Sequence, residues 1–369
     1  MKKILLSIFG LVLLLPMGAS AQGQTAADKI FKAEVIEVVR EIDNVLPDGS
    51  VSRQQDLRLK GLEDEFKDKT IDFKGVANVD VIKKNIYKVG EKVLVLASLD
   101  EEGNYTFYVT DYVRTNTLLL LVGIFVAILF IVGGWKGLRS IISLALTFVV
   151  IMKYIVPQIL QGSDPVIVTI IGSLLILLCV IYLTEGFNVR SHLGITSIFI
   201  SLIITITLSW LFVAAAKLSG ISSEETSFLV GVSKYAINFK GLLLAGIIIG
   251  ALGVLDDVVV SQIATVEEIN KADPYLDRWE LYKRGFKVGV SHISSMTNTL
   301  FLAYAGASLS LLILFSSGQS GTTGWGQAVN NEMMATEIVR TLAGSIGLIL
   351  AVPISTFIAT WWWKRRRKS

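Results

Sequence analysis

The stretch 241–262 reads GLLLAGIIIGALGVLDDVVVSQ. It begins with apolar and small residues, as a helix crossing a bilayer does, and then Asp256 and Asp257 arrive side by side. A carboxylate near the bilayer centre costs roughly 2.5–3.5 kcal/mol on insertion scales, so two in succession demand a compensating role. Composition decides how the stretch is read. Of 369 residues, 52% are apolar and only 18% charged, and the mean hydropathy is +0.62, more than a soluble domain carries on its surface. The chain is read as an α-helical polytopic membrane protein in contact with the lipid bilayer.

The lone Cys179 lies in an apolar run, where it reads as a small buried hydrophobe. It excludes an intrachain disulfide and any multi-cysteine cluster site. At the N-terminus, MKKILLSIFGLVLLLPMGASAQ has Lys2 and Lys3, a short apolar core and the small-x-small triplet Ala19-Ser20-Ala21. That is the pattern of a signal peptide over 1–21, cleaved after Ala21; an uncleaved anchor is the other reading.

Residues 22–115 are polar, with short alternating segments: KAEVIEVV at 32–39, DLRLKGL at 56–62, TIDFKG at 70–75, KVLVLAS at 92–98 and YTFYVTDYV at 105–113. In the last of these, Tyr105, Phe107 and Val109 share one face. Strands punctuated by Gly49, Gly75, Gly90 and Gly103 predict an exported, small all-β domain, a barrel or sandwich and OB-like. No aromatic and basic groove pattern accompanies it, so nucleic acid is not an expected partner.

From Thr115 onward the apolar runs predict about seven transmembrane helices, at 117–134, 140–160, 165–183, 194–216, 240–262, 292–316 and 335–361. The transmembrane domain is thus 116–363, and 364–369 is a basic tail. With the β domain outside, Lys136, Arg139, Arg190, Lys271, Arg278, Lys283, Arg284 and Lys287 fall in cytoplasmic loops. Outer loops hold only Lys217, Lys234 and Lys240, which satisfies the positive-inside rule. The expectation is a cytoplasmic-membrane protein with its N-terminal domain outside and its C-terminus inside. Trp361, Trp362 and Trp363 before KRRRK read as an interfacial anchor. Segment 221–238 is too polar to span, so an interfacial or re-entrant helix is expected there.

On a helix, Asp257, Ser261 and Glu268 fall on one stripe, while Asp256 points about 100° away from Asp257. The next span opens with Ser291, His292, Ser294, Ser295, Thr297, Asn298 and Thr299 at the depth of the aspartates. Together they can line an oxygen-rich path for H⁺, Na⁺ or another hard cation, with Asp257 and Asn298 as its centre. The plainer reading of each Ser and Thr is interhelical hydrogen bonding beside Ala303, Gly306 and Ala307. In the last span, Glu337 and Arg340 stand at i and i+3 and can pair, and Lys153 is a candidate third member of this outer charged cluster or a snorkelling lysine. No metal-ligand pattern is identified and no cofactor is expected beyond a bound proton or Na⁺.

Enzymatic readings fit poorly. An intramembrane aspartyl protease needs facing carboxylates on two helices, whereas these are adjacent on one. His292 and Ser308 lie about 24 Å apart along one helix, beyond hydrogen-bond reach. No P-loop follows a strand.

GALGVLDDVVVSQ at 250–262, MTNTLFLAYAGASL at 296–309 and EIVRTLAGSIGLILAVP at 337–353 together resemble the YibE/F-like family of polytopic membrane proteins. The resemblance marks Gly250, Gly253, Asp257, Asn298, Thr299, Tyr304, Gly306, Glu337, Arg340, Gly344, Ser345 and Gly347. Before His292 the family often has an Arg-Asp pair where this chain has Val290-Ser291, which removes a charged pair from the inner mouth. The resemblance implies a bacterial-type cytoplasmic membrane protein and no settled activity. The leading expectation is a secondary transporter or permease-like protein for a cation or small polar solute, as a homo-oligomer or with a paralogous membrane partner. The alternative is a membrane sensor or envelope scaffold whose β domain binds a partner.

Overall fold

The computed structural model describes residues 29–45, 51–76, 86–99, 103–232, 236–317 and 324–365. The signal-peptide segment 1–21, the turn at Gly49 and the end of the basic tail lie outside the described residues. Two compact units divide the chain between Ile131 and Val132. The change from strand to helix comes between Tyr112 and Thr115, and the first helical stretch begins within the N-terminal unit.

The N-terminal unit carries five strands: β1 (Lys29–Val45), β2 (Val51–Gly61), β3 (Thr70–Lys74), β4 (Lys92–Leu99) and β5 (Tyr105–Tyr112). They form one antiparallel sheet in the order β3-β2-β1-β4-β5. β1 pairs with both β2 and β4, and its register shifts between Val35 and Glu37 and between Val38 and Arg40. Such irregularities bend a strand and increase its twist. The sheet curls until the edge strands β3 and β5 approach each other, as in a partly open five-stranded barrel.

The alternation seen in the sequence is what fills its core. Phe31, Ala33, Val35, Leu57, Leu59, Val93, Val95 and Ala97 all point inward, and Tyr105, Phe107 and Val109 join them from one face of β5. Phe66 closes the core, stacked on Phe31 at 4.4 Å between ring centroids. The Phe66 carbonyl comes so close to Gly61 that a β-carbon there would lie 2.0 Å from its oxygen, so only glycine fits.

The second unit is helical. Its elements are α1 (Thr115–Val150), a π-helical turn at Ile151–Ile155, α2 (Val156–Leu160), α3 (Pro165–Thr184), α4 (Val189–Ala215) and α5 (Glu224–Val232). There follow α6 (Phe239–Ala272), α7 (Arg278–Ala307), α8 (Leu309–Ser316), α9 (Trp325–Asn330) and α10 (Glu332–Arg365). α1 begins in the first unit. Helix starts follow local sequence: Asp164 before Pro165, Asn188, Asn238 and Asp277 each accept a backbone N–H of the first turn.

Among the described residues five helical stretches are long and apolar enough to cross a membrane, or six with the α7–α8 pair counted as one bent span. The two spans expected at 117–134 and 140–160 belong to one stretch, Thr115–Leu160. Fully straight it would measure about 69 Å at 1.5 Å per residue, more than twice a hydrocarbon core. Gly134 interrupts it with φ 53° and ψ −134°, outside the helical region. The span expected at 292–316 is likewise broken, by a 64° bend between α7 and α8. As anticipated for 221–238, the short α5 is not among the candidate spans.

α6 is the central helix, packed against α3, α4, α7 and α10. The approach of α7 to α6 and to α10 rests on small residues. A β-carbon on Gly285 would lie 2.8 Å from Val266, and one on Gly289 would lie 2.4 Å from Val352. Across α4, Gly347 of α10 fits against Thr205.

Candidate functional site

Asp256 and Asp257 diverge around α6, as their adjacency requires. Asp256, partly buried, lines a cavity of 250 Å³. Facing it are Ser140, Ser143 and Thr147 of α1, with Ile176, Leu177 and Val180 of α3 forming the apolar wall. Those three hydroxyl residues were not picked out from the sequence, although their i, i+3, i+7 spacing is a helical stripe. Thr147 donates to the Ser143 carbonyl at 3.0 Å.

Asp257 points elsewhere and is exposed, as is Ser261 one turn on. The Val266–Gly285 and Gln262–Gly289 contacts fix the antiparallel register of α6 and α7. Counting back along α6 and forward along α7 places Asp257 level with Ser294, and Asn298 about one turn beyond. Ser294, Ser295, Asn298 and Thr299 are exposed too. Asp257, Ser261, Ser295 and Asn298 thus stand at neighbouring levels of α6 and α7, all of them exposed. Thr299 turns back on its own helix, donating to the Ser295 carbonyl at 3.1 Å. On the same helix the Thr297 hydroxyl is buried with no hydrogen-bond partner among the described residues.

A second polar centre lies where α4 ends and α6 and α10 begin. Glu337 and Arg340 form the expected ion pair at 2.9 Å. They line a cavity of 720 Å³ together with Ser222, Ser223, Glu225 and Thr226 from the α5 region and Ser308 and Ser310 from the α7–α8 bend. Nothing in the sequence linked 222–226 to Glu337; the link is made by Glu332. Its Oε1 accepts from the Ser219 N–H at 2.6 Å, the Ser219 hydroxyl at 2.7 Å and the Gly220 N–H at 3.2 Å. Lys153 sits exposed on the π-helical turn and is not among the residues lining this cavity.

The opposite end of the unit carries an ionic cluster. Arg190 binds Glu267, and Lys271 bridges Glu267 at 2.9 Å and Glu268 at 2.8 Å. Arg190 and Glu267 line a cavity of 520 Å³ with Trp362 and Trp363. The tryptophans expected at an interface therefore also pack on the protein. Between the two ends, buried hydroxyls run along α4: Ser197, Ser201, Thr205 and Ser209 each donate to the carbonyl four residues earlier. Their four-residue spacing was also legible and not singled out. Among the described residues no group of three or more His, Cys, Asp or Glu side chains is arranged to hold a metal ion.

The family model described as YibE/F-like protein matches residues 121–365, about two thirds of the chain and all three quoted motifs. No curated protein and no solved structure matches.

Proposed function

The chain belongs to the YibE/F-like family, and we propose that it works as a secondary transporter or permease-like protein for a cation or small polar solute. Its length of apolar helix suggests a membrane location. The observation that carries the reading is the cavity at Asp256, where a carboxylate on the central helix meets Ser140, Ser143 and Thr147 in otherwise apolar surroundings. An ionisable group at such a position is expensive unless it is used, and hydroxyls around it supply oxygen ligands for a proton or hard cation. Asp257, exposed on the adjoining side of the same turn, would extend this path, with Ser261, Ser295 and Asn298 within about a turn of it along α6 and α7. Glu337 and Arg340 form an outer gate or lock.

In this reading there are seven crossings, Gly134 dividing the first stretch into two. The N-terminal unit is exported, the C-terminus is cytoplasmic, and no chemical step is catalysed. The test is flux in reconstituted vesicles, with a trapped pH indicator and Na⁺ or K⁺ gradients, comparing wild type with Asp256→Asn, Asp257→Asn and Glu337→Gln. The expected outcome is at least a tenfold loss for Asp256→Asn. Unchanged flux in both aspartate variants, each eluting as the wild type does, sinks the assignment.

A further inference from the structure

The 720 Å³ cavity at the α7–α8 bend has a lining of unusual charge. Arg340 is its one cation among the lining residues, and Glu225 and Glu337 are its anions. Volumes of about 300–1,000 Å³ are those of small-molecule sites. The helix break itself exposes Ser308 and Ser310 to the cavity, and a broken span at a polar cavity is where irregular backbone is tolerated in a membrane protein. Arg340 is only partly used by its neighbour. One terminal nitrogen, Nη1, binds Glu337, while Nε is buried with no hydrogen-bond partner among the described residues. A buried guanidinium N–H without an acceptor is costly and calls for one.

We propose that this cavity binds a small zwitterion, an α-amino acid with an apolar side chain. The carboxylate would take the Arg340 guanidinium, which lines the cavity and whose planar fork suits a carboxylate. The ammonium would lie between Glu337 and Glu225, with the Ser222 and Ser308 hydroxyls to complete its hydrogen bonds. Leu311, Leu314 and Met333 supply an apolar wall for the side chain. Charge separates this ligand from its halves. A simple carboxylate would add a third anion to a lining with one cation, and a simple amine would leave the remaining Arg340 N–H groups without an acceptor. Glu225 is ionised at neutral pH, because a hydrogen bond from Ser223 holds its carboxyl below the usual range.

The inference deepens the transport reading by naming a substrate class, and binding tests it apart from flux. Full-length protein in detergent is titrated with radiolabelled leucine in competition with 4-methylpentanoate, which lacks the ammonium, and 3-methylbutylamine, which lacks the carboxylate. Saturable leucine binding is expected, with each half-analogue at least tenfold weaker. Arg340→Gln should abolish binding. Glu225→Gln, at an exposed position where folding is not at stake, should weaken leucine severalfold and leave 4-methylpentanoate unchanged or tighter.

The proposal is overturned if either half-analogue competes as well as leucine. It is also overturned if leucine, alanine and phenylalanine all fail to bind protein that remains monodisperse. Failure to bind amino acids alongside an Asp256-dependent cation flux removes this site and keeps the transporter. Leucine binding without any flux keeps the site and removes the transporter.

Discussion

Gln262 of α6 donates a buried hydrogen bond to the Thr356 hydroxyl of α10 at 2.8 Å. The same amide nitrogen donates to the Gly285 carbonyl of α7 at 2.9 Å. One side chain therefore ties three helices at a single level. Replacing it with leucine leaves the Gly285 carbonyl without that donor, and we expect a loss of about 1–3 kcal/mol. Unfolding of the purified protein in mixed detergent micelles measures it, and a loss under about 0.5 kcal/mol would show that the knot is not a stabilising feature.

Glycines on α10 should divide sharply. A β-carbon on Gly347 would sit 2.0 Å from the Thr205 hydroxyl oxygen, whereas one on Gly344 meets nothing within 4 Å. Gly347→Ala is expected to destabilise by about 1–3 kcal/mol through overpacking. Gly344→Ala should be neutral or stabilising, because alanine favours the helix by up to about 1 kcal/mol. Melting temperatures of the two variants check this; equal losses would mean the α4–α10 contact is looser than the structure has it.

The 219–220 clamp should be sensitive at one carboxylate. With Glu332→Ala, Ser219 and Gly220 lose the shared acceptor, and their amides should exchange with solvent at least tenfold faster. Leucine affinity at the neighbouring cavity should fall with it, since Gly220 is part of that lining. Hydrogen exchange read by mass spectrometry reports the first effect; unchanged protection would detach the clamp from loop order.

Acid should loosen the β unit. Lys29 and Tyr105 hold the Glu65 carboxyl below its usual range, Lys32 does so for Glu63, Lys60 for Asp68 and Arg53 for Asp43. A carboxyl whose value is depressed on folding stabilises the fold above its unfolded-state value, about 4 for Asp and Glu, and loses that contribution as pH falls through the lower folded value. Asp43, Glu65 and Asp68 are exposed and Glu63 partly so, and each effect is therefore small and screened by salt. Amide protection in β1 and β2 should be flat from pH 8 to 5 and decline below about 4. A decline centred near neutrality would point to a different group.

Much of this architecture could be read from the sequence because water was one of the solvents. In the β unit, alternation separates Val93 and Val95 from Leu94, and the buried face emerges directly. The capping residues Asp164, Asn188, Asn238 and Asp277 were present in the sequence too, although none was singled out there. Inside the apolar helices that contrast fails, because Ile248 is buried while Ile171 is exposed and both are the same residue. A lipid-facing side and a protein-facing side look alike when both are hydrocarbon. The sequence could therefore establish that Asp256 and Asp257 diverge, but not which of them meets Ser143. It could pair Glu337 with Arg340 by their spacing, but not bring Glu225 and Ser308 to them, since that juxtaposition depends on Glu332 and the α7–α8 bend. Nor does the sequence tell apart glycines that look alike in it: Gly253, Gly306 and Gly344 have open space where Gly347 and Gly289 are wedged.

The hydroxyls of α4 have one more consequence. Ser197, Ser201, Thr205 and Ser209 spend their donors on their own backbone, and Ser355 on α10 does the same with the Ala351 carbonyl. Such a surface is polar in composition but self-contained, so sliding one helix along the other breaks none of these bonds. The register of α4 against α10 is then set by shape, at the close fit of Gly347 against Thr205.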